Sequence, residues 1–187
     1  MKARILMAVV TITALLTAPF SFAADDKIGI FETVYASDVS FEETVAAMDA
    51  AFTTSGLLLH ATHDVRLPDD THSARVYVLT SPAYADAAKN ESPRTASAQV
   101  LRVAVFTTGD EQKTYVNMAN PVAHAMVFYA DSANYDSLVA AAEAAAGEIR
   151  ELVTAIPGSA MSEQREPMRS EKHYNKFKGD GPARMMA

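Results

Sequence analysis

The chain has 187 residues, a formal net charge of −7, 49% apolar residues and no cysteine. That length suits one domain, and the acidic balance leaves no broad basic face for phosphates, which excludes nucleic acid as an expected partner. The lack of cysteine excludes disulfides, thiolate nucleophiles, thiolate metal sites and lipid attachment at an N-terminal cysteine, so any chemistry must use oxygen, imidazole or thioether groups.

Met1-Lys2-Ala3-Arg4 is a short basic start, Ile5 to Leu16 is an apolar run, and Ser21 and Ala23 stand where a signal peptidase reads. Residues 1–23 therefore read as a secretory signal peptide. The run is too short for a membrane-crossing helix, which takes about 20 residues, so no membrane span is expected after cleavage. Removing the first 23 of 187 residues leaves 164, and the loss of Lys2 and Arg4 without any acid takes the charge from −7 to −9. The expected location is the periplasm or the medium.

Lys27 to Tyr35 alternates and is rich in β-formers, which predicts a first strand. Ser40-Phe41-Glu42-Glu43 is a capping box, and Phe41, Val45, Met48 and Phe52 lay one apolar stripe on the helix it starts. Gly56 is placed to end that helix as a left-handed cap. Strands are expected at Leu57 to Leu67, Ala74 to Thr80, Gln99 to Thr107 and Lys113 to Met118, with turns at Pro68-Asp69-Asp70, Ser81-Pro82 and Thr108-Gly109-Asp110. Ser81 to Ser97 is too long for a hairpin and holds a short helix around Tyr84. Asn120-Pro121 stops the last strand. Val122 to Tyr129 reads either as a short helix or as an extended piece. From Ser132 onward Tyr135, Leu138, Val139, Ala142, Ala146, Ile149, Leu152, Val153 and Ile156 make the apolar face of a long helix that Pro157-Gly158 ends. Residues 159–187 are charged and poor in β-branched and aromatic residues, and are expected to be disordered. The fold class is α+β, an antiparallel sheet of about five strands with two main helices packed on one face, in the order β-α-β-β-β-β-α, spanning residues 24–158.

The helix start at Ser40-Phe41-Glu42-Glu43-Thr44-Val45, the strand ending at Thr80-Ser81-Pro82, the short helix, the strand Val100 to Phe106 and the strand closing on Asn120-Pro121 together resemble the domain of unknown function 302 family, over about residues 27 to 157. The resemblance implies a compact α+β sandwich of this element order, often dimeric, and brings no established activity. Many members carry cysteines just before the proline dipeptide and in the next core strand. Thr80 and Leu101 stand at the matching positions, so thiol chemistry has no counterpart in this chain.

Two sets of residues are candidate sites. Arg75 and Tyr77 share one side of their strand, as do Tyr115 and Asn117 of theirs, and Arg102 stands on a third. If the register brings these sides together, two guanidinium groups beside phenols would grip a small anionic ligand. His124 and Met126, with Met118 upstream, would suit copper(I) if Val122 to Phe128 is extended, whereas a helix would turn His124 and Met126 about 200° apart. His60 and His63 point to opposite faces of an unbroken strand and do not share an ion. The tail adds Met161, Met168, His173, Met185 and Met186 as loose metal or docking groups. No Gly-rich phosphate loop, nucleophile elbow or His-Glu-x-x-His is present. The expected function is that of an exported, dimeric domain that binds a small anionic ligand or a periplasmic protein and performs no chemistry of its own. Its rival is a copper or haem handling factor using the His and Met groups.

Overall fold

A computed structural model of the chain describes residues 27–68, 72–109 and 112–177. The signal peptide expected over residues 1–23, and Met185 and Met186, lie outside the described residues. Among those described, eight strands and five α-helices run in the order β1 (Lys27–Gly29), β2 (Phe31–Ser37), α1 (Phe41–Thr54), β3 (Leu58–Asp64), β4 (Ala74–Thr80), α2 (Pro82–Ala87), a 3-10 turn (Pro93–Gln99), β5 (Leu101–Thr108), β6 (Lys113–Ala119), α3 (Pro121–Phe128), α4 (Tyr135–Val153), β7 (Gly158–Gln164), β8 (Met168–Ser170) and α5 (Glu171–Tyr174). The main sheet has six strands in the order β3-β4-β5-β6-β2-β7, and β1 pairs with β8 in a second, two-stranded ribbon. Every pairing is antiparallel.

The helix starts are those the residues dictate. The Ser40 hydroxyl accepts the Glu43 amide at 3.2 Å and the Glu43 carboxylate accepts the Ser40 amide at 3.1 Å, so both reciprocal bonds of the capping box form. The Ser40 hydroxyl also donates to the Glu43 carboxylate at 2.8 Å, and this bond first, the Ser40 amide second, hold that carboxyl below its ordinary pKa. The end of α1 differs from expectation. Gly56 is not left-handed; instead Ser55 is extended, donates to the Phe52 carbonyl and accepts from the Leu57 amide, closing the helix through a side chain. Val45, Met48 and Phe52 of α1 and Leu138, Ala142, Ala145, Ala146, Ile149 and Val153 of α4 are buried. They pack on the sheet side that presents Tyr77, Leu79, Val103, Val105, Val116 and Met118. Alanines along α4 let the helix approach closely.

Bulges set the faces of the sheet. One falls between Thr33 and Tyr35 in β2, so Val34 and Tyr35 both enter the core, and the Tyr35 hydroxyl donates to the Ile156 carbonyl at 2.6 Å. Another falls between Leu59 and Ala61 in β3.

The segment after Pro157 corrects the expectation of disorder. Residues 158–164 form the sheet edge against β2, residues 168–170 pair with β1, and Tyr174 is buried with its hydroxyl on the Ile28 carbonyl at 2.9 Å. Composition misses this because β7 is held by backbone ladder bonds, which polar residues make as well as apolar ones. Gly158 ends no helix; it has φ +155°, and a Cβ there would collide with the Ala36 carbonyl oxygen and Tyr35, so glycine is what lets β7 dock. The first predicted strand is two strands, β1 and β2, that pair in different sheets, and Gly29 must be glycine because a Cβ there would strike the Arg165 backbone.

Candidate functional site

Strand register decides where the predicted ligand residues go. Arg75 lies opposite Val105 and Tyr77 opposite Val103, whereas Arg102 lies opposite Val78, and Ala104 and Phe106 lie opposite Asn117 and Tyr115. Residues directly opposite share a face and neighbours along a strand do not. Arg75 and Tyr77 are therefore on the helix-covered side, while Arg102, Tyr115 and Asn117 are on the other. The two guanidinium groups are divided between the faces of the sheet, and the anion clamp expected from them does not form.

On the covered side both residues are committed to structure. Arg75 Nε donates to Asp64 Oδ1 at 2.6 Å, and its Nη1 lies 3.6 Å from Asp49 Oδ2. The Asp64 bond is the first reason the Arg75 pKa is raised and that of Asp64 lowered. Tyr77 is fully buried, with its ring 4.9 Å from that of Phe52, and burial raises its phenol pKa.

Among the described residues α1 and α4 lie on the covered side, and the other side is exposed in its middle but closed at β2, where Thr33 and Ala36 are buried, and at Ala119 of β6. Across its middle run Val76 and Val78 of β4, Ala104 and Phe106 of β5, and Tyr115 and Asn117 of β6, all partly exposed. The Phe106 and Tyr115 rings stack at 6.0 Å, and Lys113 Nζ sits 5.7 Å from the Tyr115 ring centre. Register adds Leu58 and Phe31 to this side, 53% and 48% exposed. Arg102 stands exposed at one end. Six strands at about 4.8 Å spacing and some seven residues of length make this face roughly 500 Å² in projection.

The metal candidates separate. Residues 121–128 are helical, so His124 and Met126 point about 200° apart. Met126 packs with Ile28, Val122, Val127 and Tyr174, and Met118 is fully buried in the other core cluster beside Val116. The three side chains do not converge on one point. His124 lies edge-on to Phe128 at 6.5 Å; burial first, and the charge of Arg102 second, push its pKa down to about 4. The β3 bulge also overturns the alternation expected for the histidine pair. His60 Nε2 bonds Thr80 Oγ1 at 2.9 Å and His63 lies opposite Val76, so both lie on the open side. Thr80 and Val76 are four residues apart on β4, about 13 Å, which still separates the two rings. In the C-terminal segment Met168 lies opposite Gly29 and His173 bonds Arg169, apart from Met161 in β7. Among the described residues no three His, Cys, Asp or Glu gather as metal ligands, and no helix is long and apolar enough to cross a membrane.

One charged group has no mark in the sequence. Glu32 is fully buried on the covered side; Arg150 of α4 grips both its carboxylate oxygens, at 3.3 and 2.9 Å, and reaches Glu143 at 2.9 Å. Ser162 of β7 adds a fourth bond at 3.2 Å, in a cavity of about 250 Å³. Burial alone would lower the Arg150 pKa, but Glu32 and Glu143 raise it. The spacing of Glu143 and Arg150 puts them on one helix face, a local signal; nothing local marks Glu32.

Two helices over one face of an antiparallel sheet, with the middle of the opposite face partly exposed among the described residues and its polar groups dispersed, define an α+β sandwich. The chain belongs to the family of the domain of unknown function DUF302, whose profile matches residues 33–156, as the order of its motifs implied. It is similar to the crystal structure of the uncharacterized conserved protein DUF302 from Bacillus stearothermophilus, at 16% identity over 68% of this chain and 95% of that one, with a TM-score of 0.49. No curated protein matches the chain. The β1, β7, β8 and α5 segments lie outside the matched residues. Of the positions where the family resemblance implied cysteine, Thr80 bonds His60, and Leu101 is buried in the core.

Proposed function

We propose that the protein is an exported binding domain, without catalytic chemistry of its own, whose open sheet face docks another protein surface, with a second copy of the chain as the occupant. One observation carries the reading. Val76-Tyr77-Val78-Leu79 and Val103-Ala104-Val105-Phe106 are continuous apolar runs, the pattern of strands covered on both faces, yet among the described residues helices cover only one face. Antiparallel strands that keep one face in water alternate apolar with polar. The bare face is also of the order of the ~800 Å² that each partner gives to a standard interface. Arg102 and Lys113 supply polar groups at the margin, as such interfaces have. Export rests on the basic start, apolar run and small residues of the first 23 positions.

Size-exclusion chromatography with light scattering tests this. The protein is expected to run as two chains at tens of micromolar, and Val78→Glu/Phe106→Glu is expected to run as one while keeping its circular dichroism. A wild-type monomer, or a dimer that survives both substitutions, overturns the reading.

A further inference from the structure

A groove of about 680 Å³ opens where three helices meet: the C-terminal end of α1, the start of α2 and the C-terminal end of α4. Small-molecule sites occupy about 300–1,000 Å³. Its walls include Thr54, Ser55, Leu57, Pro82, Glu148 and Glu151, and among the described residues no Lys, Arg or His lines it. We propose that this groove is a binding site for a small aliphatic amine with two or more ammonium groups, of the polyamine class.

Several sources of negative potential converge there. Glu148 and Glu151 are three residues apart on α4, which sets them on one helix face with Cβ atoms about 5–6 Å apart. Two ammonium groups joined by three or four methylenes span a similar length. The two longest helices, of 14 and 19 residues, both end at the groove, and each C-terminus carries about half a negative charge. α1 has no basic residue in its last turn, and Arg150 of α4 is turned away onto Glu32 and Glu143. The opposing positive end is that of α2, which has only six residues.

The site is also built rather than merely acidic. Ser81, 1% exposed, caps α2 by accepting the Tyr84 amide and donates its hydroxyl to Glu148 Oε1 at 3.3 Å, which holds that carboxylate at the groove. Leu57, Pro82 and Ala83 form an apolar wall against which methylenes can lie. The lining has no aromatic ring, so it lacks the cage that quaternary ammonium ligands use. Ammonium groups that donate hydrogen bonds to the Glu148 and Glu151 carboxylates fit instead, since the helix-end carbonyls of Phe52, Glu151 and Leu152 already accept bonds from their own caps.

Isothermal titration of the purified protein with spermidine at low salt tests the site. One saturable event is expected, weakened at least about tenfold in Glu148→Gln/Glu151→Gln. The control Glu42→Gln/Asp136→Asn removes two exposed acids elsewhere and is expected to bind as the wild type does. Ala51→Lys, which places a cation in the groove and leaves both carboxylates intact, is expected to abolish binding. Equal weakening in the control, binding that persists in both groove variants, or no saturable event in the wild type overturns the proposal. Circular dichroism melts of each variant show whether it is folded.

Discussion

The two faces of the six-stranded sheet are built from alternate residues of the same strands, yet they have opposite fates. On one, Tyr77, Leu79, Val103, Val105, Val116 and Met118 are sealed under α1 and α4. On the other, Val76, Val78, Ala104, Phe106 and Tyr115 are hardly more polar and stay partly exposed. In the middle of β4 and β5 residue type therefore barely tells the faces apart; helix cover does. Even charge follows this division. Glu32 and Arg150 are locked together on the covered side, and Arg102 stands exposed to water on the open side.

The contrast is sharpest at the buried charge. Arg150→Ala leaves Glu32 fully buried without its guanidinium, and a loss of about 3–5 kcal/mol is expected in chemical denaturation. A loss under about 1 kcal/mol would show that the covered face is less sealed than its burial implies.

A middle-sized effect is expected from His124, whose pKa is pushed down to about 4 while an unfolded histidine titrates near 6.5. Below pH 6.5 the unfolded chain takes up a proton that the folded chain refuses, so stability falls with pH from about 6.5 down to about 4 and is fully present above that window. The wild type is expected to lose about 3 kcal/mol more than His124→Phe across the window, measured by urea melts at several pH values. Parallel profiles for the two proteins would place His124 in a more watery setting.

The smallest change belongs to the open face. Arg102→Ala is expected to alter stability by less than about 0.5 kcal/mol, because exposed side chains away from buried networks contribute little. A drop of a few kcal/mol in a dilute monomer would mean that the chain itself uses this face.

Much of the fold is legible in local physics. The Ser40–Glu43 box, the stripes on α1 and α4, the strand ends at Pro82 and Pro121 and the family's order of motifs all follow from caps, periodicity and turn chemistry within a few residues. The candidate sites are not legible in the same way. Arg75 and Arg102 suggest one clamp because each is correctly placed on its own strand, but the register between β4 and β5 puts them on opposite sides. His60 and His63 read as opposed until a bulge, which no local signal announces, turns them to the same face.

What the amino-acid order determined by itself was α1, α2, α4 and the four strands from Leu58 to Ala119, and the absence of thiol chemistry. Tertiary structure alone decided which face each side chain took, the helical state of residues 121–128, and the ordering of residues 158–177. The reason is the range of the forces. Glu32 meets Arg150 across 118 positions and Tyr174 meets Ile28 across 146, and bonds of that span exist only once the chain has closed on itself.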